Sequence, residues 1–235
     1  MRGINANEVV IVCPVDPYVD YEYFHMLRKI SNQVQKGEAN LVLMGIEPTY
    51  PSEKYGYIIP NSKNQVATVD TFKEKPDETT AEKYITQGAL WNSGIFAYKL
   101  DYVLDIAEKK FGSSDYQWIF DNYNAFDNIS FDYAVVEKEK KIQVMRFAGQ
   151  WRDLGTWNTL TEAMTEDVVG NAVAVDCENT HVINELQIPL IALGVSNLAI
   201  AVTPDGILVT DKKSSYKLKD YVADQRPMFE RRIWG

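Results

Sequence analysis

Two almost unbroken apolar runs, Val9-Val10-Ile11-Val12-Cys13 and Leu41-Val42-Leu43-Met44, set the tightest limit on what this chain can become. A strand with one wet face alternates apolar and polar residues, whereas a run without alternation suits a strand covered on both faces of a parallel sheet. Between the two runs Asp20 is placed to cap a helix carrying Phe24, Leu27, Ile30 and Val34 toward the core, and Gly37 offers a left-handed exit. Strand, helix and strand in this order make a crossover unit, and such units bind ligands at the carboxyl ends of their strands. Asp16 stands at the end of the first.

Further along, residues 48–60 are rich in Pro, Tyr and Gly and read as a loop, and a strand at 65–72 ends in Lys73-Glu74-Lys75-Pro76. Thr79 and Glu82 have the offset of a capping box, opening a helix that closes near Gly88. A strand at 89–98 is interrupted by Asn92, Ser93 and Gly94, which predicts a bulge or a close approach to a ligand. Helices are predicted at 100–111, 115–123 and 130–138. A strand at 141–147 then leads to Trp151-Arg152-Asp153, which places a second carboxylate just past a strand end. After Gly170 the texture changes to short β pieces at 172–175, 181–183, 189–193, 198–202 and 207–210, followed by a helix at 214–223 and the tail Arg226–Gly235. The expected domains are therefore 1–168 and 169–235.

The 235 residues are 46% hydrophobic, enough for one large core and a smaller one. Acidic side chains outnumber basic ones 33 to 24, a formal net charge of −9, so no nucleic acid is expected and any phosphate must find local cations. The longest apolar stretches fall short of the roughly 20 residues that cross a bilayer, and no membrane partner is expected. Cys13 and Cys177 lack disulfide or metal spacing, which suits a cytoplasmic location. With only His25 and His181, both read as packing or surface residues, chemistry falls to carboxylates, amides and lysines.

Seven short strings carry more: Cys13-Pro14-Val15-Asp16, Met44-Gly45-Ile46-Glu47-Pro48-Thr49, Tyr55-Gly56-Tyr57-Ile58, Phe72-Lys73-Glu74-Lys75-Pro76, Trp91-Asn92-Ser93-Gly94-Ile95-Phe96, Ser130-Phe131-Asp132-Tyr133 and Trp151-Arg152-Asp153-Leu154-Gly155-Thr156-Trp157. In their order and spacing the chain resembles the bacterial mannose-1-phosphate guanylyltransferases, a family of sugar-phosphate nucleotidyltransferases, over nearly its whole length. The resemblance implies an α/β fold: a Rossmann-like nucleotidyltransferase domain with a mixed, mainly parallel sheet, plus a small C-terminal β-rich, β-helix-like unit. It also implies attack of mannose 1-phosphate on the α-phosphorus of GTP, giving GDP-mannose and pyrophosphate, with Mg2+ as cofactor and a homo-oligomer as the assembly. Such a reaction needs charge neutralisation and in-line positioning more than a protein nucleophile.

By the same resemblance Asp16 and Asp153 are the magnesium-binding carboxylates, and oxygen donors with retained waters are what magnesium prefers. Lys75 is the cation on the sugar phosphate, Glu74 and Asn92 bond sugar hydroxyls, Tyr55 and Gly56 line the sugar pocket, and Asp132 with Tyr133 supports it. Read without the resemblance, Asp16 serves as well as a helix cap, Glu74 and Lys75 as an exposed charged turn, Asn92 as a bulge residue, and Trp151 and Trp157 as packing. Two features depart from the family pattern: no glycine-rich, arginine-ended loop precedes Glu8, and Pro17 follows Asp16 where a histidine is common. The expectation is an N-terminally truncated domain that lacks the triphosphate cradle, is inactive alone and tends to associate along an apolar edge. Two alternatives stay open: a non-catalytic paralogue or regulatory subunit binding sugar nucleotide, and a nucleotidyltransferase for another sugar or base.

Overall fold

A computed structural model describes residues 4–218 and Tyr221, which fall into two compact units. The first holds the described residues up to Val15 together with Val19–Trp151; the second holds Asp16–Tyr18 and the described residues from Arg152 onward.

In chain order the first stretch comprises β1 (Val9–Val12), the two-residue β2 (Tyr18–Val19), α1 (Tyr21–Gln35), β3 (Leu41–Ile46), β4 (Tyr57–Pro60), β5 (Val66–Lys73), α2 (Glu78–Thr86), β6 (Leu90–Lys99), α3 (Leu100–Phe111), α4 (Tyr116–Asp121), α5 (Phe131–Ala134), β7 (Ile142–Phe147) and the two-residue β8 (Trp151–Arg152). Six strands form one sheet in the order β1-β6-β3-β7-β5-β4, with β4 also bonded to β6. Among the described residues only β3 and β7 pair in parallel; every other ladder of this sheet is antiparallel. The expected mainly parallel sheet is thus corrected. The crossover from β1 through α1 to β3 is present, but β6 runs back between its two strands, and β4 and β5 form a hairpin.

Burial follows from that order. Central β3 is buried along its whole length, as its unbroken apolar run requires. Its alternate residues feed two cores, Val42, Met44 and Ile46 packing with the helix α1 and Leu41 and Leu43 with Phe72, Phe96, Tyr98 and Val136 on the other face. β1 is different. It pairs with β6 alone among the described residues, is half-buried, and leaves Val12 exposed, so the expected burial on both faces does not hold. An apolar run cannot distinguish a central strand from one at an edge, because neighbours are set by the return of a strand some 80 residues later.

Helix α1 starts where Asp20 Oδ1 accepts the Tyr23 N–H at 3.3 Å, and Gly37 follows it at φ +72°. Tyr23, Met26, Ile30 and Val34 are buried, whereas Phe24 is exposed. Six residues from Ile30, Phe24 lies about 120° round the helix from the inward stripe. Two other expectations shift. The loop at 48–60 contains β4, whose Tyr57 hydroxyl accepts the Ser52 N–H at 2.8 Å, and α2 is capped by Asp77, which accepts the Thr80 N–H at 2.8 Å, rather than opened by Thr79 and Glu82. β6 has the predicted irregularity: its register against β3 shifts between Leu43 and Gly45, and Gly94 takes φ +76°, a value that favours glycine.

In the second unit α6 (Trp157–Ala163) begins at a reciprocal cap between Thr156 and Thr159. Short strands follow: β9 (Val168–Gly170), β10 (Ala172–Val175), β11 (His181–Asn184), β12 (Leu190–Leu193), β13 (Leu198–Thr203) and β14 (Gly206–Asp211). β9, β11 and β13 are joined in parallel, β10 and β12 form a second parallel pair, and β14 closes on β13 as an antiparallel hairpin. A 3-10 helix, Lys212–Lys217, stands where the helix at 214–223 was expected to start. Of that prediction residues 219, 220, 222 and 223, and with them the tail Arg226–Gly235, lie outside the described residues. No helix among the described residues is long and apolar enough to cross a membrane.

Candidate functional site

At the carboxyl end of β5 the chain leaves the sheet through Glu74 and Lys75. Lys75 adopts φ +44°, a left-handed conformation that is unusual for a non-glycine residue and is further opposed by the following proline. Such a backbone costs about 1–3 kcal/mol and persists only where its surroundings hold it. Here Lys75 Nζ lies 2.7 Å from Glu74 Oε1, with the lysine side chain half-exposed and the glutamate 6% exposed. The bond to Glu74 is the main reason the ammonium is held above its ordinary pKa, so the cation persists through the physiological range. A buried carboxylate thus presents a half-exposed cation.

Gly56 forms the wall beside this pair. A β-carbon there would stand 2.5 Å from Glu74 Oε2, 3.0 Å from Phe72 Cζ and 3.4 Å from Asn92 Cβ. Its carbonyl accepts the Asn92 N–H at 2.8 Å, tying the loop before β4 to the β6 bulge. The Asn92 carboxamide is held at both ends: Nδ2 donates to Asp132 Oδ1 at 3.0 Å, and Oδ1 accepts the Gly94 N–H at 3.1 Å. This fixes its orientation and leaves one N–H free to donate. Asp132 is held above the ordinary carboxylate range, chiefly by burial and secondly by the nearby Glu74. The structure thus brings Glu74, Lys75, Gly56, Asn92 and Asp132 together. Tyr133 is exposed. The Tyr55 ring packs at 4.8 Å from Trp91 and 5.8 Å from Trp151, with Tyr50 edge-on to Trp91 at 5.1 Å, so Trp151 has the packing role expected of it.

One residue went unnoticed. Glu137, in a 3-10 turn Val136–Lys138 that follows α5, accepts the Glu74 N–H at 3.0 Å and meets Lys73 Nζ at 3.3 Å. In the sequence it opens Glu137-Lys138-Glu139-Lys140, which looks like a solvated charge run. Only its five-residue distance from Asp132 hinted that one short segment could reach the site twice.

Asp16 and Asp153 both belong to the second unit. Asp16 is exposed; Asp153 is half-buried, and its Oδ1 accepts the Gly155 N–H at 2.8 Å. Among the described residues no group of three or more His, Cys, Asp or Glu side chains is disposed to hold a metal. The histidines keep structural roles. His25 meets Tyr21 edge-on at 4.8 Å. His181 Nδ1 lies 2.8 Å from Lys212 Nζ and its Nε2 3.2 Å from Asp167 Oδ1, and burial first, then the Lys212 charge, lowers its pKa.

Comparison with known proteins places this geometry in context. A family profile described as Nucleotidyl transferase matches residues 2–169. The chain is 30% identical to the xanthan biosynthesis protein XanB of Xanthomonas campestris pv. campestris (strain B100), over 93% of this chain and 51% of XanB. It is 31% identical to a mannose-1-phosphate guanylyltransferase of Klebsiella pneumoniae, over 97% of this chain and 56% of that protein. The chain thus spans about half the length of the curated relatives it matches. A crystal structure from Thermus thermophilus, described as a mannose-1-phosphate geranyltransferase, aligns with TM-score 0.79 at 28% identity, covering 93% of this chain and 70% of that one.

Proposed function

The chain belongs to the nucleotidyl transferase family, and on that footing we propose that it serves the conversion of mannose 1-phosphate and GTP to GDP-mannose and pyrophosphate, carrying the sugar-phosphate and metal part of the site. The observation that carries the reading is the strained turn at Lys75, where a buried Glu74 carboxylate holds a half-exposed ammonium beside a fully oriented Asn92. Backbone strain of this kind is kept where a site needs a group in one position.

In the proposed reaction an oxygen of the sugar phosphate attacks the α-phosphorus of GTP, the bond from that phosphorus to the oxygen bridging the β-phosphate breaks, and pyrophosphate leaves with that oxygen. Lys75 pairs with the phosphate of mannose 1-phosphate in a charge-assisted bond, which orients the attacking oxygen. Glu74, having used Oε1 on Lys75, accepts from a sugar hydroxyl, and Asn92 donates its free N–H to another. Asp132 keeps Asn92 from rotating, and Tyr55 and Gly56 line the sugar pocket. Asp16 and Asp153 are assigned to a divalent metal, magnesium in this reading. Two carboxylates supply the oxygen donors preferred by an ion that keeps several waters and completes its shell with substrate phosphates. Bound there, the ion would neutralise charge on the triphosphate.

The reading extends to organisation. Residues 1–168 are taken as the nucleotidyltransferase domain, supported by the family match ending at 169, and 169–235 as a β-rich unit of β-helix type, supported by the parallel ladders β9-β11-β13 and β10-β12. Free thiols at Cys13 and Cys177 accord with a cytoplasmic setting. Exposed Val173, Val175, Ile191 and Leu193 on the β10-β12 pair accord with association of copies.

The test is calorimetric titration of the chain with mannose 1-phosphate, together with pyrophosphate release from GTP, magnesium and mannose 1-phosphate. Lys75→Met should weaken mannose 1-phosphate binding by roughly 1.5–3 kcal/mol, the worth of a hydrogen bond to a charged group. An unchanged dissociation constant in the variant, or no binding by the native chain, overturns the reading.

A further inference from the structure

We propose that Glu137 is the positioning residue of the sugar-phosphate site, setting the turn at Lys75 by accepting the backbone N–H of Glu74. The proposal rests on the reading that Lys75 meets the sugar phosphate, and it names what holds Lys75 there. A left-handed lysine before a proline does not keep that conformation unaided. The side-chain pair of Lys75 and Glu74 joins adjacent residues, so it stabilises the turn without anchoring it to the rest of the molecule. The anchor comes from the segment Phe131–Lys138. Its Asp132 takes the Asn92 amide at 3.0 Å, and its Glu137 takes the Glu74 amide at 3.0 Å.

One short segment therefore registers both hydroxyl-binding side chains, Asn92 on β6 and Glu74 beyond β5, against each other. The bond to Glu74 matters more than the bridge to Lys73. Lys73 is half-exposed and its ammonium can be served by water, while Glu74 is buried and its N–H has no comparable substitute. Glu137 itself is 22% exposed, so its carboxylate is partly shielded and directed at that amide.

Glu137→Ala should raise the dissociation constant for mannose 1-phosphate about tenfold or more, and amide exchange at Glu74 should accelerate. Glu137→Gln keeps an acceptor oxygen in the same place and should recover most of the affinity and the amide protection. Both variants are read alongside thermal unfolding and circular dichroism, so a misfolded alanine variant is recognised and the decision then falls on the glutamine variant and on the amide exchange of Glu74. An alanine variant that binds within twofold of the native chain overturns the proposal, as does a folded glutamine variant that binds no better than alanine, since the lost charge and not the bond would then be responsible. If Lys75→Met weakens binding while Glu137→Ala does not, only this inference fails. If Lys75→Met has no effect, the reading of the site itself fails.

Discussion

Replacing Gly56 by alanine adds a single methyl group at the tightest point of the candidate site. The glycine does not have a positive φ, so alanine fits the backbone and gains about 0.4–1 kcal/mol from a less flexible unfolded chain. Against this, the new carbon would stand 2.5 Å from Glu74 Oε2 and 3.0 Å from Phe72 Cζ, both too close. Overpacking a buried site costs about 1–3 kcal/mol. The carboxylate is the softer neighbour because it ends a flexible side chain, so it yields first, and the net loss of stability should be no more than about 2 kcal/mol. The displacement is felt elsewhere. Glu74 cannot move Oε2 away from Gly56 and keep Oε1 at 2.7 Å from Lys75 Nζ without a change of rotamer in a residue that is 6% exposed. Losing a charge-assisted bond of roughly 1.5–3 kcal/mol corresponds to roughly a ten- to hundredfold rise in the dissociation constant for mannose 1-phosphate. Urea unfolding measures the first quantity and isothermal titration the second. A folded Gly56→Ala protein that binds mannose 1-phosphate as tightly as the native chain would refute the reasoning, because it would show that the carboxylate can retreat without disturbing the lysine.

Other expectations follow from the same geometry. Asp16→Asn and Asp153→Asn each remove a charge while keeping shape, and each should weaken magnesium binding by calorimetry and, in a catalytically competent enzyme, lower pyrophosphate release by about two orders of magnitude or more; near-native values in both would dismiss them as metal ligands. Asp132 has its pKa raised in the folded state, so between its unfolded and folded values the native protein binds more protons than the unfolded chain, and stability falls as pH rises through that window. Asp132→Asn keeps an acceptor for Asn92 and should flatten this loss, gaining stability at neutral pH relative to the native chain but not in acid, as followed by urea unfolding across pH. Leu43→Ala empties a fully buried position in the central strand and should cost about 2–5 kcal/mol in urea unfolding; a smaller loss would mean that the two cores are less tightly packed than their burial indicates.

Much of this protein was legible along the chain because the relevant physics is local. The apolar run at Leu41 predicts a strand, Asp20 is placed to cap the helix that follows it, and Asn92-Ser93-Gly94 announces a bulge because glycine supplies the positive φ that the strand needs there. The motif strings likewise singled out Glu74, Lys75, Gly56 and Asn92, which the structure places side by side. Neighbour relations were not legible. Whether β1 was central or at an edge depended on where β6 returned, and the mainly antiparallel sheet arose from that return and from a hairpin concealed in a stretch of Pro, Tyr and Gly. Phe24 was expected on the inward stripe of α1, but Tyr23 occupies it, and its buried ring meets Phe147 of β7 edge-on at 6.2 Å. Glu137 shows the same limit at the site: a carboxylate in a run of alternating charge acquires a specific role only when a strand end 63 residues earlier brings it a buried N–H. Local preference is a property of a few adjacent residues. The pairing of distant ones is determined by the closure of the whole core, which no single segment encodes.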